Sequence, residues 1–155
     1  MLMPYFGGWP EWIKFYFKTC ETNNTIDFVF FTDCEIPRNI PNNMKFIKIS
    51  FYDYKMMFSR KLNINVEKIT PYKICDFRPM FGFVHNDIID GYDFFGYGDI
   101  DVVYGNLRKF LNEDVLKNKV ISTHSDRLSG HFALIENSEK YRNAFFNIPN
   151  WKKIL

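Results

Sequence analysis

Asp99 and Asp101 stand two residues apart at the end of the aromatic run Phe94-Phe95-Gly96-Tyr97-Gly98, with Gly105 close behind. In an extended chain residues i and i+2 point to one face, so the two carboxylates are expected side by side, with Ile100 and Val102 turned toward a core. Adjacent carboxylates repel, and burial sharpens the repulsion. A hard divalent cation, Mg²⁺ or Mn²⁺, removes it and leaves coordination positions open to phosphate oxygens. The pair therefore points to a metal-dependent nucleotide-sugar site with Asp99 and Asp101 as metal ligands. Eleven aspartates in 155 residues make one Asp-x-Asp pair unremarkable by chance. Its weight comes from its setting, after a strand-like run and before the Gly105-Asn106 helix entry.

The elements that must position the pair read as alternating short strands and helices, an α/β layer architecture. Pro4 to Gly8 reads as the end of a first strand entering a glycine turn, with Pro10 opening a helix. Trp9, Trp12, Ile13, Tyr16, Phe17 and Cys20 then form one apolar helical stripe. Ile26 to Phe31 is a β-rich run, unbroken in apolar character from Phe28 on, as in a strand covered on both faces, and ends at Thr32-Asp33. Pro37 to Asn43 is loop, Met44 to Ser50 a strand, and Asp53 to Leu62 a helix. Thr70-Pro71 is an N-cap and first-turn pair for a further helix, which Pro79 kinks or restarts. Asp90-Gly91 turns the chain into a strand over Tyr92 to Tyr97. Leu107, Phe110 and Leu111 are the expected buried side of the next helix. Lys119 to Thr123 and His131 to Ile135 read as strands, and Ser138 as the cap of a last helix. His85, beside Asn86 and Asp87, reads as a surface turn.

Composition narrows the function classes. Hydrophobic residues at 46% and charged residues at 25% suit one globular domain, here residues 1–155, and eighteen Phe with nine Tyr can fill a sizeable core. A net charge of +2 gives no argument for nucleic-acid binding. No apolar run reaches the length of a membrane span, and no secretory leader is evident at the start. Cys20, Cys34 and Cys75 are odd in number and widely spaced, which argues against a zinc site or a disulfide framework and for a cytoplasmic setting. Cys75, in a Phe/Ile-rich segment, reads as an inert core thiol.

Asp99-Ile100-Asp101, the opening Pro4-Tyr5-Phe6-Gly7-Gly8 and Gly130-His131-Phe132, in that setting, together resemble bacterial glycosyltransferases of the GT-A fold, of a polysaccharide-biosynthesis type. Tyr72 to Pro79 adds a segment similar to the Asp-x-x-Arg helix that precedes the DxD strand, with Asp76-x-Arg78 one residue shorter. The resemblance runs from residue 4 to about 137. It implies a single Rossmann-like mixed sheet flanked by helices, with the site at the carboxyl ends of the strands. It further implies a nucleoside-diphosphate sugar donor (a UDP-sugar is the guess), Mn²⁺ or Mg²⁺, and a saccharide or lipid-linked acceptor. Pro4, Tyr5, Phe6, Gly7, Thr32 and Asp33 would lie at the base and ribose. Lys73, Asp76 and Arg78 would contact the donor sugar or phosphates. Asp101 would bind the metal directly, and Asp99 would reach ribose or a metal-bound water. His131 is the leading candidate for the acceptor base, ahead of His124, Asp126 and Glu136. Family members carry a C-terminal segment with a further metal-binding histidine, so a chain trimmed at both edges is expected. The surface so exposed would favour dimerisation or association with the inner face of the membrane.

Two other readings stay open. Asp99-Ile100-Asp101-Val102-Val103 also fits the catalytic loop of haloacid-dehalogenase phosphatases, in which the first aspartate attacks phosphorus. That family carries the loop on its first strand, whereas most of this chain precedes it. The other reading is a non-catalytic remnant or partner-binding subunit that keeps the sheet without turnover.

Overall fold

Every residue of Phe28–Thr32 is buried, because this strand, β2, is sandwiched between two cores. In the computed structural model, which describes residues 1–153, it runs between β1 (Leu2–Pro4) and β3 (Met44–Lys48), parallel to both. Leu2 pairs with Val29 and Pro4 with Phe31; Phe28 pairs with Met44 and Thr32 with Lys48. A second sheet is antiparallel, in the order β4 (Phe94–Gly98), β6 (Phe132–Glu136), β5 (Val120–Ser122). Its central strand sets Gly98 against Phe132 and Phe94 against Glu136. The protein is thus a mixed α/β fold, and the two sheets abut along β1 and β4. A side chain at Gly96 would meet Met1 at 3.0 Å and the Ala133 carbonyl at 2.3 Å, so glycine is what this seam admits.

Strand alternation divides the interior in two. Leu2, Val29 and Phe31 face one core with α2 (Phe51–Leu62), a 3₁₀ helix over Tyr72–Met80 and α3 (Phe81–Val84). Met3, Phe28 and Phe30 face the other core, against α1 (Ile13–Thr22) and Tyr104. Phe30 stacks on Phe46 with ring centres 4.8 Å apart, and Phe17 meets both rings edge-on. Such aromatic pairs add about 0.5–1.5 kcal/mol each beyond the area they bury. α4 (Glu113–Leu116) and α5 (Glu139–Arg142) are single turns. Among the described residues no helix is long and apolar enough to cross a membrane.

Several expectations need correction. α2 begins at Phe51 rather than Asp53, because Ser50 is its N-cap and accepts the Asp53 amide at 3.0 Å. α1 begins at Ile13, so Trp9 and Trp12 lie outside its apolar stripe; Trp9 stacks on Tyr5 at 5.2 Å and Trp12 is exposed. The helix expected after Gly105-Asn106 shrinks to a 3₁₀ turn, Leu107–Lys109, and Phe110 is exposed while Leu111 is buried. The helix opened by Thr70-Pro71 is 3₁₀ throughout.

His85 is no surface turn. It is 1% exposed, stacks on Phe31 at 4.4 Å, and its Nε2 shares a hydrogen bond of 2.9 Å with the Tyr54 hydroxyl. Burial, reinforced by Lys61, pulls its pKa from 6.5 down to about 3, with Asp87 opposing. The buried ring is therefore neutral, whereas an unfolded chain protonates it below pH 6.5. Stability from this group is full above that pH and falls as pH drops toward 3, by about 1.4 kcal/mol per unit. Urea unfolding should lose about 2 kcal/mol between neutral pH and roughly pH 5 from this group. His85→Phe, less stable at neutrality for want of a Tyr54 partner, should show a flatter pH dependence. Parallel pH curves for the two chains would contradict this.

Candidate functional site

The chain leaves β1 and β4 in different directions. Beyond Pro4 it turns through Gly7 and Gly8, both at positive φ (97° and 125°), into α1 and then β2. Beyond Gly98 it enters the turn that carries Asp99, Ile100 and Asp101. Among the described residues no connection crosses the gap above the two strand ends, and a cleft of about 640 Å³ opens there. Its floor is the end of β1 (Pro4, Tyr5, Phe6) and the turn Gly98 to Asp101; its walls are Trp12 on one side and Tyr72, Cys75 and Arg78 on the other.

The second wall follows from helix geometry. A 3₁₀ helix has three residues per turn, so positions i, i+3 and i+6 align. Ile74, Phe77 and Met80 form the buried line. Tyr72, Cys75 and Arg78 form the line that faces the cleft. Lys73 and Asp76 form the outer line and pair with each other at 2.9 Å, which raises the Lys73 pKa. Runs of nine residues are unusual for this helix type. Here the period of three is what brings Arg78 to the aspartates while Phe77 stays in the core.

Asp99 is the hub. Its Oδ1 takes a hydrogen bond from Arg78 Nη2, and its Oδ2 lies 2.8 Å from His131 Nδ1. The side chains of Arg78 and Asp99 are only 15% and 27% exposed. Arg78 also lies over the Tyr97 ring, 5.4 Å from its centre. The guanidinium fits there because residue 130 is glycine: a Cβ would stand 2.8 Å from Arg78 Nη1. Gly98 is equally constrained, since a Cβ would meet the Tyr104 hydroxyl at 2.4 Å and the His131 carbonyl at 2.9 Å.

Asp99 and Asp101 do not share a strand face. β4 ends at Gly98 and both residues sit in the turn beyond it, because the strand partner β6 runs out at Phe132. Both still line the cleft. Asp101 is exposed and makes no hydrogen bond or ion pair among the described residues. Among those residues no group of three or more His, Cys, Asp or Glu is placed to hold a metal ion. The donor set does suit Mg²⁺ or Mn²⁺ of the kind held by one or two carboxylates and completed by water and substrate phosphates. Asp101 has both oxygens free for that role, whereas Asp99 is engaged on both.

The remaining candidates are placed as follows. Pro4, Tyr5 and Phe6 line the cleft; Gly7 does not, and its amide donates to Asp33 Oδ1 at 2.8 Å. Thr32 is fully buried, its hydroxyl accepting the Cys34 amide, and the Asp33 carbonyl is held by Lys48. Asp33 braces the loop after β1 and Thr32 the loop after β2, and neither lines the cleft. Lys73 and Asp76, on the outer line of the helix, do not line the cleft. His131 joins the site through Asp99. His124, Asp126 and Glu136 lie elsewhere, Asp126 paired with Arg127 and Glu136 with Lys119. Cys75 is not a core thiol but is exposed on the cleft wall; partial burial still pushes its pKa up, against the pull of Arg78. Trp12, Tyr72 and Ile100 were not singled out from the sequence as site residues. The spacing Tyr72-Cys75-Arg78, in step with apolar Ile74-Phe77-Met80, was the available signal for Tyr72.

Residues 1–155 match the model of a family of unknown function, DUF6625, and the chain belongs to that family. No curated protein and no solved structure matches the chain.

The Arg78–Asp99 pair should be energetically real rather than a surface contact. Arg78→Met is expected to lower the unfolding free energy by about 1–3 kcal/mol, since it strands a half-buried carboxylate. The loss should be smaller in an Asp99→Asn background. A double-mutant cycle by urea denaturation measures the coupling; a coupling indistinguishable from zero would mean that the two side chains do not hold each other.

Proposed function

We propose that this chain is a metal-dependent glycosyltransferase of GT-A type, acting on a nucleoside-diphosphate sugar. The observation that carries the reading is the cleft at the ends of β1 and β4, lined by Arg78, Asp99 and an Asp101 that is unpaired among the described residues. Taken across the seam, the strands run β3-β2-β1-β4-β6-β5. In open α/β sheets ligands bind at the carboxyl ends of the strands where the order reverses, and this order reverses between β1 and β4. The Rossmann-like description of the sheet is part of the same proposal.

Each side chain then has a defined task. Asp101 would hold the divalent ion, and Asp99 would accept a hydrogen bond from one of its waters. When bound, the ion supplies positive charge against the diphosphate as the glycosidic oxygen departs. Arg78, with its planar fork of donors already in the cleft wall, is placed to bind the same phosphates. Stacking on Tyr97 and packing under Gly130 fix it before substrate arrives, so little reorganisation is needed when charge develops. His131 Nδ1 is oriented by Asp99, and its Nε2 is left to accept the proton of an acceptor hydroxyl. Nucleophilic attack by Asp99, as in the phosphatase reading, would require one of its oxygens to leave Arg78 or His131. The glycosyltransferase reading asks less of the site.

Calorimetric titration of UDP with and without Mn²⁺ is the test. The wild type should bind UDP in a Mn²⁺-dependent way, and Asp101→Ala should weaken that binding at least about tenfold while leaving the thermal unfolding midpoint almost unchanged. A folded wild type indifferent to UDP at every Mn²⁺ concentration would sink the donor reading and leave the non-catalytic one standing.

A further inference from the structure

A second cavity, of about 280 Å³, opens at the other end of the strands from the cleft and shares no lining residue with it. It lies between the start of β4 and Asn24 to Asp27, the residues that lead into β2. Ligand pockets commonly run from about 300 to 1,000 Å³, so this one suits a small molecule. Its floor is apolar: Phe94 of β4 and Leu134 of β6, with Leu111 and Leu116 from the segment that covers the antiparallel sheet. Asn23 pins that cover, accepting the Leu107 amide on Oδ1 at 2.8 Å and donating from Nδ2 to the Gly105 carbonyl at 2.9 Å.

The rim carries charge of both signs. Arg108 is fixed on Thr25, donating from Nε to its hydroxyl at 2.8 Å and from Nη2 to its carbonyl at 2.9 Å. Its Nη1 makes no hydrogen bond among the described residues. Asp27 follows Thr25 by two residues, which holds their Cα atoms within about 7 Å. The Tyr92 hydroxyl donates to Asp27 Oδ2, and the Met1 nitrogen donates to the Asp27 backbone carbonyl at 2.6 Å; Oδ1 is free among the described residues. Asp93, next to Tyr92, is exposed, and its carboxylate makes no hydrogen bond or ion pair among those residues.

One ligand chemistry uses the floor and both signs of the rim. A fatty or aromatic acid would suit Arg108 and the leucines but bring its charge against two carboxylates. An apolar amine would leave the guanidinium unused, and a sugar or a phosphate would set polar groups on a floor of leucines. We infer that this cavity binds a free α-amino acid with an apolar side chain. Its carboxylate would sit on Arg108 Nη1, its ammonium between Asp27 and Asp93, and its side chain on Phe94 and the leucines. An α-amino acid carries both charges on one carbon, and the short path from Thr25 to Asp27 keeps the two signs of the rim correspondingly close. The inference does not rest on the donor reading.

Calorimetric titration of the whole chain with L-leucine and L-phenylalanine at millimolar concentration tests it, with saturation-transfer NMR as a second readout. At least one of the two should bind. The matched acid without the ammonium (4-methylpentanoate or 3-phenylpropanoate) and the matched amino alcohol without the carboxylate (leucinol or phenylalaninol) should each bind about tenfold more weakly. Asp93→Asn, at a side chain with no partner in the fold, should weaken the amino acid about fivefold or more without weakening the matched acid. Arg108→Gln should weaken the amino acid about tenfold, with thermal unfolding confirming that the variant is folded. The proposal is overturned if neither amino acid binds, if an acid or amino alcohol binds as tightly as its parent, or if amino-acid affinity survives either substitution in a folded chain.

Discussion

The arrangement depends on one topological constraint: β1 and β4 lie side by side, and the chain departs from their ends in different directions. Backbone groups at strand ends must find partners or water. On β1 they are met by a glycine turn tied to Asp33, and on β4 by a turn whose Asp99 amide bonds the His131 carbonyl. Neither turn crosses the gap. Among the described residues no connection fills the space between them, which is therefore a cleft, and Arg78, Asp99 and Asp101 line it.

Given that gap, the polar network around Asp99 is a solution to an electrostatic problem. A half-buried carboxylate needs cationic or hydrogen-bonding partners. Arg78 and His131 supply them from two distant parts of the chain, the 3₁₀ helix before β4 and the loop before β6. The solution depends on two glycines: Gly130 gives the guanidinium its place, and Gly98 lets Tyr104 close beneath the turn. Asp101 is left outside this network. The cleft therefore holds one carboxylate that is satisfied and one that is free.

How much of this could be read in the sequence differs by element, for physical reasons. β2 was legible because burial on both faces leaves Phe28 to Phe31 as an unbroken apolar run. α2 was legible as a helix, but its start slipped by two residues because Ser50, which is its N-cap, reads equally well as the end of the preceding strand. The Tyr72–Met80 helix was legible as a helix but not as 3₁₀, since Thr70-Pro71 opens either kind. Only the threefold spacing of Ile74, Phe77 and Met80 separates the two, and that spacing decides which residues face the cleft. His85 was misread because its polar neighbours Asn86 and Asp87 describe a turn, while the histidine itself points inward at Tyr54. For the site, the aspartate pair, Arg78 and His131 were all named from sequence. Their joining through Asp99 was not, because a contact across 21 residues on one side and 32 on the other leaves no local pattern.

The central claim is that the cleft above β1 and β4 receives a metal-bound nucleoside diphosphate. The most direct measurement is a crystal structure of the chain with UDP and Mn²⁺, with the ion located by its anomalous scattering. The account predicts an ion bound to an Asp101 carboxylate oxygen, with the diphosphate between it and Arg78. An ion and nucleotide bound away from Asp101 and Arg78, or a cleft left empty in crystals that hold both elsewhere, would contradict it.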